Sequence, residues 1–201
     1  MPNFRRRFVP GGCWFFTVCL QDRGSTLLVD ELAVLRRAFR DTRRSLPFRI
    51  DAVVVLPDHF HTIWTLPPDD GNFAARWRSL KGRFSREIPP GEWRSQSQID
   101  RGERGIWQRR YWEHRIRDAD DFARYVEYCY IDPVRHGLVR RAGDWPHSSF
   151  HRDVRAGLLP ADWAGMMAQG RFGERAKSNM GAQSCAPYRG ALSGGAAVGR
   201  T

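Results

Sequence analysis

Cysteine is scarce in this chain: Cys13, Cys19, Cys129 and Cys185 are the only four among 201 residues, and no two form a CxxC pair. A disulfide framework is thereby excluded, and reduced thiols in a cytoplasmic protein are expected. Long apolar runs are missing as well; nothing approaches the ~20 residues that a membrane-spanning helix needs. Arg5-Arg6-Arg7 followed by CWFFTVCL resembles the start of a secretory signal. Pro10-Gly11-Gly12 splits the charges from the short apolar run, however, and no small-residue cleavage site follows. Residues 13–20 are therefore expected to form a strand. Internal repeats and P-loop motifs are absent, and acidic residues are the minority, 22 Asp and Glu against 33 Lys and Arg.

The formal net charge of +11 comes mostly from arginine, clustered at 4–8, 36–44 and 101–117. Each basic side chain that neutralises a phosphate releases a condensed counterion, so an excess of this kind suits a polyanion, with nucleic acid the leading partner class. A solvated basic surface or an anionic membrane face would carry the same charge. With 41% hydrophobic residues, the chain can bury a real core, and one compact unit plus an extension is expected. The division falls at residues 1–172 and 173–201. Beyond Phe172 the composition turns to Gly, Ala and Ser, which cannot bury a core, so the tail is expected to be disordered.

Hydrophobic periodicity divides the first unit further. Aromatic and β-branched residues at 13–20, the run FRIDAVVVL at 48–56 and residues 59–66 read as strands, with Pro57-Asp58 as a turn. Leu32, Leu35 and Phe39 recur at helical spacing between about 29 and 44. A second apolar stripe, Phe73, Trp77, Leu80, Phe84 and Ile88, predicts a helix whose exposed side carries Arg76, Arg78, Lys81, Arg83 and Arg86. After a polar loop at 89–105, IWQRRYWEHRIR reads as extended. A third helix follows over 118–132, ending before Pro133. The order β-α-β-β-α-β-α corresponds to an α+β, ferredoxin-like split βαβ sandwich with an added C-terminal helix, both earlier helices on one sheet face.

Two stretches carry candidate chemistry. In VVVLPDHFHTIWTLP, residues i and i+2 of a strand share a face with Cα atoms about 6.5–7 Å apart, so His59 and His61 can converge on one cation while Phe60 points into the core. On the third helix, Phe122, Val126 and Cys129 form an apolar stripe. Asp121, Tyr128 and Asp132 cluster on another side. A phenol and a carboxylate one turn apart would then share a face; equally, Tyr125, Tyr128 and Tyr130 would suit packing, and Asp132 before proline a turn.

The blocks LPDHFHTIWTLP, WQRRYWEH, YVEYCYIDPVRHGLV and DWPHSSFHRDV resemble the REP-associated tyrosine transposases, relatives of single-strand insertion-sequence transposases with a His-hydrophobic-His motif. The resemblance covers about residues 3–164, apart from the loop near 90–104. It implies that His59 and His61 are the metal-binding pair and Tyr128 the nucleophile. The family's Asn or Gln four residues after the tyrosine is replaced by Asp132, implied as a further ligand of Mg²⁺ or Mn²⁺. A carboxylate there binds a hard cation well but repels the scissile phosphate. The implied activity is metal-dependent nicking and strand transfer of single-stranded DNA at palindromic hairpins, through a 5′-phosphotyrosine, by a transposase. Arg5, Arg6, Arg7, Arg76, Lys81, Arg83, Arg109, Arg110, Arg115 and Arg117 are candidate DNA contacts. Trp107, Tyr111 and Trp112 fit either base stacking or sheet packing. Glu113 and His114 are candidate partners behind the metal histidines. A monomer is expected over the helix-exchanged homodimer of the related transposases.

Three other readings compete: a domesticated hairpin-binding protein without chemistry, a replication initiator or relaxase with the same metal and tyrosine, and a metal-dependent hydrolase that needs no tyrosine.

Overall fold

The computed structural model describes residues 9–91 and 94–164. Arg5, Arg6, Arg7, the 172/173 boundary and the Gly-rich tail lie outside the described residues. In chain order the elements are β1 (Cys13–Cys19), α1 (Leu27–Asp30), α2 (Leu32–Ser45), β2 (Arg49–Val55), β3 (His59–Thr65), α3 (Phe73–Glu87), α4 (Gln96–Ile99), β4 (Trp112–Arg115), α5 (Ala119–Arg135), a 3₁₀ turn (Ala142–Asp144) and α6 (Phe150–Arg155). The strands form one antiparallel sheet in the order β2-β3-β1-β4. This is the interleaved order that two split βαβ units generate, as the element sequence predicts.

Alternation along the strands divides the core into two layers. Trp14, Phe16 and Val18 of β1 and Phe60 and Trp64 of β3 point to the face covered by α2 and α3, where Leu35, Phe39, Trp77, Leu80 and Phe84 meet them. Trp64 stacks on Trp77 at 4.1 Å between ring centroids. The apolar stripe predicted for α3 is buried throughout, from Phe73 to Ile88. Phe15, Ile63, Ala52 and Val54 point to the other face, against α5 and Phe150.

Several local expectations are corrected. The first helix is broken at Glu31, whose backbone (φ −103°, ψ 32°) leaves the helical region, so α1 and α2 are separate. The loop at 89–105 contains the short α4, held by a capping box of Ser95 and Gln98. Within 106–117, only Trp112–Arg115 is strand, with a lone bridge from Trp107 to Leu20. Most consequential is α5, which runs through Pro133 to Arg135. Proline in the final turn forfeits one backbone bond to the carbonyl four residues earlier, and the turn closes without it. His136 N–H donates to the Asp132 carbonyl at 3.0 Å and Gly137 N–H to Val134 at 2.9 Å. Gly137, at φ +69°, takes the left-handed conformation that terminates the helix.

The buried side of α5 also differs from the predicted stripe. Asp121, Tyr125, Cys129, Tyr130 and Asp132 are buried, whereas Phe122 and Val126 are half-buried. The helix is fastened from behind. The Tyr130 hydroxyl donates to Asp153 of α6 and pairs with Ser149 Oγ at 3.1 Å, and Ser149 Oγ accepts from the Val53 amide of β2 at 2.9 Å. The segment before α6 lies along β2: Val55 N–H donates to the His147 carbonyl, Ser149 N–H to Val53, and Trp145 Nε1 to the Val55 carbonyl. Arg152 adds bonds to the carbonyls of Ile50 and Asp51.

Candidate metal and tyrosine site

The register of β1 and β3 sets the site. His59 lies opposite Cys19 and His61 opposite Thr17, both on the α5 face of the sheet and both buried, at 2% and 3% exposure. Phe60 between them enters the opposite layer. Asp132, on the last turns of α5, brings its Oδ2 to 3.1 Å from His61 Nε2, 3.4 Å from His59 Nε2 and 3.6 Å from His136 Nε2. The ligand atoms of His59, Asp132 and His136 all lie within 4.8 Å of one another. This cluster can hold a metal ion.

Two observations fit it to a cation rather than to a packed polar core. His61 Nε2 and Asp132 Oδ2 are buried and close, yet misaligned, and neither has a hydrogen-bond partner among the described residues. Buried polar atoms are ordinarily paired, so atoms that converge without bonding are suited to share a ligand. The imidazoles are also oriented from behind. Asp58 Oδ1 accepts from His59 Nδ1 at 2.7 Å, and Thr17 Oγ1 bonds His61 Nδ1 at 2.9 Å, which leaves both Nε2 atoms facing Asp132. Arg23 pairs with Asp58 at 2.9 Å.

The electrostatics divide the imidazoles. Burial disfavours a charged His59, but the carboxylates of Asp132 and Asp58 outweigh it and raise its pKa to about 9. Burial pushes His61 down despite the pull of Asp132, and it also lowers His136. Asp132 is held well below the usual carboxylate range, because attraction to His61 and His59 overcomes its own burial. Without a cation, one imidazolium thus balances one carboxylate.

Tyr128 lies one turn before Asp132. Its ring meets His61 edge-on, 5.0 Å between centroids, and also contacts Phe15. Arg135, two turns further along α5, places its guanidinium carbon 5.0 Å over the same ring. The fold therefore brings Tyr128, His59, His61 and Asp132 together.

Other candidates are placed elsewhere. Arg76 is buried, not on an exposed helix face: it donates to the Pro47 and Asn72 carbonyls and pairs with Asp70 at 2.8 Å, bracing α3 against the loop before β2. Lys81 donates to the Gln108 carbonyl at 3.0 Å and lies over Trp107 and Tyr111. Those two rings pack with the α2/α3 layer, while Trp112 is 39% exposed. Arg83 is half-buried and bonds Ser79, Arg109 pairs with Glu103, and Arg117 lies 3.5 Å from Asp121. Arg110 and Arg115 are exposed. His114 does not back the metal histidines; it bonds Asp121 at 2.8 Å, which also removes Asp121 from the cluster around Tyr128 and Asp132. Glu113 lies opposite Phe16, and cross-strand partners share a side, so it belongs to the other face of the sheet.

Four residues escaped the sequence reading: Thr17, Asp58, Arg135 and His136. Thr17 becomes a partner of His61 only through β1–β3 pairing, whereas Asp58 is the sequence neighbour of the histidine it orients. His136 follows Asp132 at i+4, a signal hidden by ending the helix at Pro133.

A ferredoxin-like sheet that presents a buried histidine pair to a helix-borne tyrosine and carboxylate fits a class of metal-dependent tyrosine nucleases in which transposases, replication initiators and relaxases would all fall. No family model matches the chain. It is 46% identical over 175 residues, 87% of its length and 98% of the relative's, to the REP-associated tyrosine transposase of Escherichia coli K12. It is also 46% identical over 167 residues, 82% of its length and 94% of the relative's, to a REP-associated tyrosine transposase of Haemophilus influenzae. A solved structure of a REP-associated tyrosine transposase bound to a REP hairpin superposes with a TM-score of 0.74 at 46% identity, covering 89% of this chain and all of that one. The chain belongs to the REP-associated tyrosine transposases.

Proposed function

We propose that this transposase nicks and rejoins single-stranded DNA at palindromic hairpins through a 5′-phosphotyrosine on Tyr128. The observation that carries the reading is the convergence of the Tyr128 ring with His61 and Asp132 on one sheet face. His59, His61, Asp132 and His136 would hold a divalent cation. Three imidazoles with one carboxylate favour Mn²⁺ over Mg²⁺, which prefers oxygen donors and retained water. When bound, the cation polarises a phosphate oxygen and offsets the charge that develops in the displacement. Tyr128 Oη attacks phosphorus in line, the bond to the 3′ oxygen breaks, and that oxygen leaves as a free 3′-OH. Reversal by another 3′-OH rejoins the strand without ATP.

The partner is DNA, a reading supported by the +11 charge and by the hairpin-bound relative. Exposed Arg110 and Arg115, with Arg5, Arg6 and Arg7 of the N-terminal segment, supply phosphate contacts. No helix among the described residues is long and apolar enough to cross a membrane. Action in the cytoplasm follows from a DNA substrate. The attachment of α5 to its own sheet, through Tyr130 and Ser149, favours a monomer that completes its site within one chain.

The test uses wild-type protein and Tyr128→Phe with hairpin DNA labelled at either end, in Mn²⁺ or Mg²⁺, on denaturing gels. Wild type alone should trap the fragment downstream of the nick through its 5′ end. Cleavage by Tyr128→Phe would establish a metal-dependent hydrolase instead. Tight hairpin binding without cleavage by either protein would establish a domesticated binding protein, a reading that the negative charge of Asp132 beside the phosphate favours.

A further inference from the structure

Arg135 is not among the residues of the metal cluster, and no acidic partner pairs with it among the described residues. Its guanidinium lies 5.0 Å over the Tyr128 ring, from an exposed position on the last turn of α5. A guanidinium held over a phenol by its charge keeps N–H groups available, and a pair of them matches the spacing of two phosphate oxygens. Tyr128 and Arg135 stand at i and i+7 of one continuous helix, so their Cα atoms keep a fixed separation of two turns. His61 meets the Tyr128 ring from the sheet, and Arg135 lies over the same ring from the end of the helix.

We propose that Arg135 is a catalytic residue of this transposase: its guanidinium clamps the non-bridging oxygens of the phosphate that Tyr128 attacks. The inference rests on the reading of Tyr128 as nucleophile. In the step itself the Tyr128 Oη–P bond forms, the P–O3′ bond breaks, and the phenolic proton is balanced by the proton taken up at the 3′ oxygen. Arg135 neither gives nor takes a proton; it is a fixed charge that offsets the negative charge spread over the equatorial oxygens. It would hold the phosphotyrosine by the same contacts, and thereby position it for the returning 3′-OH.

The experiment compares wild type, Arg135→Gln and Arg135→Lys on hairpin DNA with either a natural scissile phosphate or a neutral methylphosphonate at that one position. With the natural phosphate, Arg135→Gln should slow formation of the Tyr128 adduct roughly 10²–10³-fold. Arg135→Lys should restore part of the rate, and hairpin affinity should change by less than about threefold. With the methylphosphonate, the penalty of Arg135→Gln should shrink to less than about threefold, because the charge it offsets is gone. Equal penalties on both substrates would make Arg135 a merely structural support of Tyr128 and overturn the proposal, as would a fall in hairpin affinity that accounts for the whole loss. Should the methylphosphonate react too slowly to follow, guanidinium chloride added to Arg135→Ala decides: dose-dependent return of the adduct supports the clamp, and none overturns it. A wild type that forms no adduct brings down the tyrosine reading and this one together. A normal wild type with an equally fast Arg135→Gln brings down this one alone.

Discussion

The two faces of β3 enter layers of opposite character. One side of the strand carries Phe60 and Trp64 into an aromatic layer closed by α2 and α3, where the sheet is covered continuously and the rings set the packing. The other carries His59 and His61 towards α5, where imidazoles and a carboxylate are buried together and His61 Nε2 lies 3.1 Å from Asp132 Oδ2. Seven residues therefore serve two purposes at once. The apolar layer provides the stability that allows the polar layer to bury ionisable groups together, a state that costs desolvation free energy wherever it occurs. The division predicts that substitutions on one side should change activity with the fold intact, and on the other should do the reverse.

The largest effect is expected at the nucleophile. Tyr128→Phe should reduce formation of the covalent DNA adduct by at least ~10⁴-fold while leaving the melting temperature near that of wild type. An equally large loss of stability would erase the contrast between the layers. On the opposite side, Trp77→Ala removes a fully buried ring stacked on Trp64 and should cost about 3–5 kcal/mol in denaturant unfolding. At a temperature where it remains folded, its cation affinity should match wild type; a large drop would show that the layers are coupled. Asp58→Asn sharpens the contrast further. It retains the shape behind His59 but loses the charge, so cation affinity measured calorimetrically should fall about 10–100-fold, and the cation-loaded protein should lose the matching linkage stabilisation of about 1.4–2.7 kcal/mol and no more.

The smallest effect is graded. His59 has a pKa of about 9 in the cation-free protein, and only neutral imidazole is a ligand, so at pH 7.5 cation binding must expel its proton. Affinity should fall as pH drops below about 9, by at most about tenfold per pH unit. Release of close to one proton should appear as a dependence of binding heat on the buffer's ionisation enthalpy. A pH-independent affinity would place the cation away from His59.

What was legible in the sequence was whatever a short-range period encodes. The two-residue period of 59–65 revealed the histidine face, and the stripe from Phe73 to Ile88 revealed the buried side of α3, because one packed surface selects both patterns. The paired crossovers then gave the strand order. Illegible features depend on contacts between distant segments. Arg76 has the spacing of an exposed position on α3, yet the Pro47 carbonyl draws it inward; no local pattern carries that information. Trp107, Tyr111 and Trp112 are near neighbours with similar chemistry, and only the tertiary packing separates the two inner rings from the outer one. His136 is hidden by a proline rule that holds for helix interiors and not for a final turn, where one missing bond is readily tolerated.

The strip from Trp145 to Arg152 that lies along β2 has a consequence for how this protein coexists with copies of itself. β2 is a border of the sheet, and a bare border offers a row of amide and carbonyl groups on which another chain can add a strand. Here the chain uses its own later residues to satisfy Val53, Val55, Ile50 and Asp51 from outside. That margin is closed to strand addition, so the same strip that fastens the tyrosine helix also protects the protein against edge-to-edge aggregation.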